Sequence, residues 1–201
     1  SINPSNGNTD LSGIMVIFGG TGDLTHRKLM PALYNLVYDK LLPENFAVVS
    51  IGRREKTTEQ YREDIFNAIN QYSRNKIEDQ YWEKLREIIY YVQFDFTDMS
   101  GYDKLDTVLS KLDEEMNCRG NRIFYLAVAP KYFETIVHGL QVSGLSVDDG
   151  SGAWKRLVIE KPFGKDLSTA RRLNAKLNEV FTEKSIYRID HYLGKEMIQN
   201  I

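Results

Sequence analysis

The chain has one cysteine, Cys118, in 201 residues. A single thiol excludes an intrachain disulfide framework and a cysteine-built metal cluster, and it fits a reducing compartment. No apolar run approaches the ~20 residues that span a bilayer, and the opening "SINPSNGNTDLSG" has neither the basic region nor the apolar stretch of a secretory signal. The expected location is therefore the cytoplasm, with no membrane partner. Residues 1–13, rich in Ser, Asn and Gly, read as a mobile leader. A strong charge of one sign is also missing: 26 Lys+Arg against 28 Asp+Glu leave a net charge of −2. That balance argues against a nucleic-acid partner and confines any phosphate binding to a local site. Nothing in the spacing of His, Cys and carboxylates supports a metal. With 42% hydrophobic and 27% charged residues, the chain has the composition of a folding sequence.

What is present alternates between two periods. "IMVIF" (14–18) is a short apolar run ending at glycine, the pattern of a strand buried on both faces. From Asp23, the residues Leu24, Leu29, Leu33, Leu36 and Val37 recur at helical spacing, and Pro31 is expected to bend or restart that helix. Further strands are predicted over 46–52, 88–96, 121–128, 155–164 and 185–190. Helices are predicted over 57–87 (two, broken near Asn75), 100–116, 132–144 and 166–181, with another beginning in "YLGKEMIQNI". Strands separated by helices of this length make βαβ units, hence an α/β protein with a doubly wound, mostly parallel sheet of Rossmann type. That domain is expected over 14–185.

In such a sheet the first strand-to-helix turn receives the pyrophosphate of a dinucleotide. Gly19, Gly20 and Gly22 stand at that turn, where a missing Cβ permits close approach and the next helix offers N–H groups to an anion. The pattern Gly20-x-Gly22-x-x-Thr25 departs from G-x-G-x-x-G at its last position, so a tight turn without ligand stays open as the alternative. The second strand ends "SIGRRE". Arg53 and Arg54 occupy the place where an NAD enzyme carries a ribose-binding acid, and paired guanidinium groups favour the 2′-phosphate of NADP. Glu55, just beyond, keeps NAD as a possibility. Late in the chain, "EKPFG" (160–164) and "RIDHYLGKE" (188–196) fall where strands end. The second gathers Arg188, Asp190, His191, Tyr192 and Lys195, a mixture suited to a phosphorylated, hydroxyl-rich substrate. His26 reads as a surface residue and His138 as a structural one.

The segments "GGTGDLTHRKLMPALYNL", "YLAVAP", "VIEKPFGKDL" and "YRIDHYLGKEMIQNI" resemble, in order and spacing, the glucose-6-phosphate dehydrogenase family over nearly everything from residue 14 onward. The wording "GGTGDL" with "NRIFY" is most similar to enzymes of lactic-acid-type bacteria, some of which use both NAD and NADP. The resemblance implies oxidation of glucose 6-phosphate to its lactone with hydride transfer to NADP. It implies that Gly19, Gly20, Thr21, Gly22, Asp23 and Leu24 form the coenzyme turn, that Arg53, with Arg54 beside it, contacts the 2′-phosphate, and that Lys28 lies near both ligands. Ala127 and Pro130 would line the nicotinamide side. Ala129 stands where the family often has a second proline. Lys161 would bind coenzyme, sugar and reacting hydroxyl, with Pro162 positioning it. His191, Tyr192 and Lys195 would grip the substrate phosphate. Asp190 would orient a catalytic histidine that lies farther along family chains, so these 201 residues alone are expected to be inactive. The resemblance also implies that residues 186–201 are the start of an α+β substrate and dimerisation domain, truncated in these 201 residues, and that the full-length parent is a homodimer or homotetramer.

Two other classes compete. A non-catalytic NADP-binding module or sensor would keep "GGTGDL" and the arginines but need neither Lys161 nor "RIDHYLGK". A short-chain reductase would carry Tyr-x-x-x-Lys after the fourth strand, where Tyr132 is instead followed by Ile136. Pairing Asp190 with His191 as a base dyad is disfavoured because neighbours on one helical turn face apart.

Overall fold

A computed structural model describes residues 11–161 and 166–190. Its centre is a six-stranded parallel sheet of order β3-β2-β1-β4-β5-β6, formed by β1 (Gly13–Phe18), β2 (Phe46–Gly52), β3 (Ile89–Gln93), β4 (Arg122–Leu126), β5 (Lys155–Glu160) and β6 (Ile186–Ile189). This is the doubly wound order with its switch point between β1 and β4. Every residue of β1, β2 and β4 is buried, which explains why those segments read as continuous apolar runs rather than alternating ones.

One apolar layer unites Ile14, Val16 and Phe18 with Leu105, Leu109, Ile136, Leu140, Leu173 and Leu177, drawn from helices α4 (Met99–Met116), α5 (Phe133–Val142) and α6 (Leu167–Asn178). The opposite layer joins Met15 and Ile17 to Leu33, Tyr34, Ile65, Ile69 and Leu85 of α1 (Met30–Tyr38), α2 (Thr58–Tyr72) and α3 (Asp79–Arg86). Strand residues of alternate parity thus feed the two layers, as the period of two requires. None of the helices among the described residues is long and apolar enough to cross a membrane.

The boundaries are set by chemistry legible nearby. Thr57 caps α2 by a reciprocal box with Gln60. Asp166 caps α6 by accepting from the Thr169 amide at 2.8 Å. Strand β3 stops at Gln93, short of the predicted 96, because its ladder partner β2 ends at Gly52, the residue opposite. The fifth strand, expected to run into a turn, ends at Glu160, opposite Ile189. Pro31 does restart its helix: a π-helical turn over Thr25–Leu29 precedes α1, and the Met30 amide bonds back five residues to Thr25 O. A proline lacks the N–H that a uniform helix would need there. Of the expected leader, residues 1–10 lie outside the described residues, as do Pro162, His191, Tyr192, Lys195 and the expected last helix.

Candidate functional site: a dinucleotide cradle at the carboxyl edge of the sheet

The ends of β1 and β2 are level, with Phe18 opposite Ile51. The amides of Gly19 and Gly20 both donate to Ile51 O, at 3.0 and 2.8 Å, so the glycine turn is stitched directly to the strand that ends in the arginines. Gly19 has φ +97°, and a Cβ there would lie 2.4 Å from Ala127 O; the fold itself requires glycine. Gly22 is different. A Cβ on it would meet no protein atom closer than Gly19 O at 3.4 Å, an ordinary contact, so packing does not explain the missing side chain. The open space over Gly22 leaves room for a ligand to approach the backbone, and the first amides of the following helix lack intrahelical acceptors by position. The turn therefore fits a pyrophosphate.

Around it, Thr21 and Leu24 are half-buried, and Leu24 packs on the α1-side layer. Asp23 is exposed, 3.8 Å from Arg27 Nε. Thr25, at the variant third position of the motif, is fully buried and donates its hydroxyl to Gly19 O at 2.8 Å. His26, read as a plain surface residue, is half-buried, with Nδ1 3.0 Å from Gly22 O; the carbonyl, one turn back, draws the ring inward. Lys28 is exposed on the π turn. Across the switch point, Ala127 is buried and its amide donates to Phe18 O, while Pro130 opens a short 3₁₀ turn. Ala129 has φ −62°, ψ 147°, the conformation a proline would impose, so the turn keeps that shape without the second ring. His138, read as structural, is exposed on α5, because its neighbours Val137 and Gly139 take the buried face.

Arg53 and Arg54 are exposed, and among the described residues neither guanidinium has a hydrogen bond or ion pair. Their backbone, in contrast, is held: Gln93 Nε2 donates to Arg53 O at 3.0 Å, and the Tyr91 hydroxyl donates to Arg54 O. Sequence periodicity placed Tyr91 and Tyr61 only in strand and helix patterns. In the structure their rings stack at 4.8 Å, and Tyr61 Oη donates to Gly20 O at 2.7 Å. The Asp95 carboxyl is held below the usual range chiefly by hydrogen bonds from the Thr97 amide and hydroxyl, with a smaller contribution from the Arg53 charge.

Farther along the same edge, β5 and β6 end together. The Lys161 amide donates to Ile189 O at 2.6 Å, and Lys161 Nζ lies 3.8 Å from Asp190 Oδ1. The structure thus brings Lys161 of "EKPFG" together with Ile189 and Asp190 of "RIDHYLGKE". The Arg188 guanidinium bonds Asn174 on α6 at 3.0 Å and pairs with Glu183.

The model of the glucose-6-phosphate dehydrogenase NAD-binding domain matches residues 16–200. The chain belongs to the glucose-6-phosphate dehydrogenase family. It carries that family's nicotinamide-dinucleotide-binding domain. Glucose-6-phosphate 1-dehydrogenase of Chlamydia muridarum is 46% identical over 191 residues, covering 94% of this chain and 38% of the relative. The chain therefore spans well under half the length of that relative. The enzyme of Leuconostoc mesenteroides is 36% identical over 193 residues, covering 96% of this chain and 38% of its own length. A solved glucose-6-phosphate dehydrogenase, in complex with its substrate glucose-6-phosphate, superposes with TM-score 0.80 at 29% identity, covering 96% of this chain and 39% of that one.

Proposed function

We propose that this chain is the coenzyme-binding part of a cytoplasmic glucose-6-phosphate dehydrogenase that oxidises C1 of glucose 6-phosphate to the lactone, with NADP⁺ as acceptor. The observation that carries the reading is the pair of exposed, unpartnered guanidinium groups at Arg53 and Arg54, level with a glycine turn whose Gly22 the packing does not need. Guanidinium binds phosphate through paired, charge-assisted hydrogen bonds, so this corner suits a dinucleotide bearing a 2′-phosphate. The nicotinamide, when bound, accepts the hydride.

The protein's own part is placement. Amides of the turn hold the pyrophosphate, and Ala127 and Pro130 wall the nicotinamide side. Lys161 donates to the sugar and to the reacting hydroxyl. Its pairing with Asp190 at the joint end of β5 and β6 supports a shared site for the two motifs. Asp190 orients the general base that takes the hydroxyl proton, a histidine beyond residue 201, while His191, Tyr192 and Lys195 grip the substrate phosphate. The domain division falls near residue 185, and the full-length parent forms a homodimer or homotetramer. The test is to mix the folded chain with NADP⁺ and glucose 6-phosphate. Binding of NADP⁺ without reduced-coenzyme formation is expected. Failure to bind any nicotinamide dinucleotide would overturn the reading, and turnover would place the base within this chain.

A further inference from the structure

Arg53 and Arg54 follow the last paired residue of β2, so no sheet ladder holds them. What holds them comes from β3. Gln93 and Tyr91, on alternate positions of that strand and hence on one face, donate to the carbonyls of Arg53 and Arg54 respectively. Tyr91 is 8% exposed, and its ring lies against Tyr61, which is fully buried and reaches the Gly20 carbonyl. Two stacked phenols therefore join the glycine turn to the arginine segment, each spending its hydroxyl on one of the two backbones. Burial raises the pKa of both phenols, so they remain donors at neutral pH. These bonds use main-chain oxygens alone and leave both guanidinium groups available for a ligand.

We infer that Tyr91, seconded by Gln93, is a positioning residue for coenzyme choice: it fixes the arginine backbone against the glycine turn so that both guanidinium groups meet a 2′-phosphate. The inference rests on the coenzyme reading above. A long, flexible side chain recognises a small anion well only when its root is fixed, which is the task of supporting residues behind a binding site. Tyr91 and Gln93 act through the arginine backbone, setting the distance between the phosphate-binding segments.

The experiment titrates the wild-type chain, Tyr91→Phe, Gln93→Ala and the double variant Arg53→Ala/Arg54→Ala with NADP⁺ and with NAD⁺. Tyr91→Phe keeps the stacked ring and deletes one hydroxyl. It is expected to weaken NADP⁺ by about three- to tenfold while NAD⁺ changes by less than about twofold. Gln93→Ala should move the ratio the same way by a smaller factor, and it serves if Tyr91→Phe folds poorly. A merely structural role would weaken both dinucleotides together, and that result, or an unchanged ratio in both single variants, would overturn the inference. If the arginine double variant alone loses the preference, the coenzyme reading stands and this inference falls. If the double variant keeps the wild-type ratio, the coenzyme reading itself has failed.

Discussion

At the amino edge of the sheet the Arg122 side chain is 7% exposed and donates to both Asp113 oxygens, at 2.9 and 2.6 Å, whereas at the carboxyl edge Arg53 and Arg54 are exposed and, among the described residues, make no side-chain hydrogen bond or ion pair. Arg122 has been taken out of water, so its partner is obligatory; a buried guanidinium without a carboxylate is strongly destabilising. The neighbouring Asn121 serves the same edge, donating to Ser12 O and accepting from the Trp154 amide. At the other edge the fold spends hydrogen bonds on the arginine backbones and none on the charges. One edge is thus closed by its own side chains, and the other keeps its charges available for something that is not protein.

Substitutions can break this contrast, beginning with the largest expected effect. Gly19→Ala puts a Cβ 2.4 Å from a backbone oxygen at φ +97°. It should cost about 3 kcal/mol or more, read as a lowered urea midpoint. Arg122→Ala leaves Asp113 and the amino edge without their partner; a loss of about 2–3 kcal/mol is expected, with NADP⁺ affinity unchanged by titration. A fall in affinity there would show that the two edges are not separate. Gly22→Ala should reverse the pattern: stability within about 0.5 kcal/mol of wild type, and NADP⁺ affinity reduced about tenfold. Stability loss without affinity loss would mean that this glycine, too, belongs to the fold.

The smallest effect concerns the buried thiol of Cys118, which desolvation, with help from the Asp113 charge, pushes up to about 11. A raised thiol pKa adds stability that is complete below the unfolded value and is lost as pH rises toward the folded one. Between about pH 8 and pH 9 the decline should stay under about 1 kcal/mol, and should be absent in Cys118→Ala. Native Cys118 should also resist alkylation at neutral pH until the chain is unfolded.

Much of the carboxyl edge is legible in the chain because its signals are local. The apolar run before Gly19 marks the end of β1, and "SIGRRE" marks the end of β2. The supports behind them are not local. Tyr61 meets Gly20 from 41 positions away and Tyr91 meets Arg54 from 37, and an aromatic residue at helical or strand spacing looks like any other core residue. Pro31 announced a break in the first helix but not its form, a π turn in which the Met30 amide bonds back five residues to Thr25 O while the Thr25 hydroxyl donates to Gly19 O.

The most direct measurement is the ratio of NADP⁺ to NAD⁺ affinity, by calorimetric titration, in the wild-type chain and in Arg53→Ala/Arg54→Ala. The account predicts a preference for NADP⁺ in the wild type that falls by about 30-fold or more in the double variant, with NAD⁺ affinity and folding retained. An unchanged ratio would contradict it, because the unpaired guanidinium groups at this edge would then have no phosphate to meet.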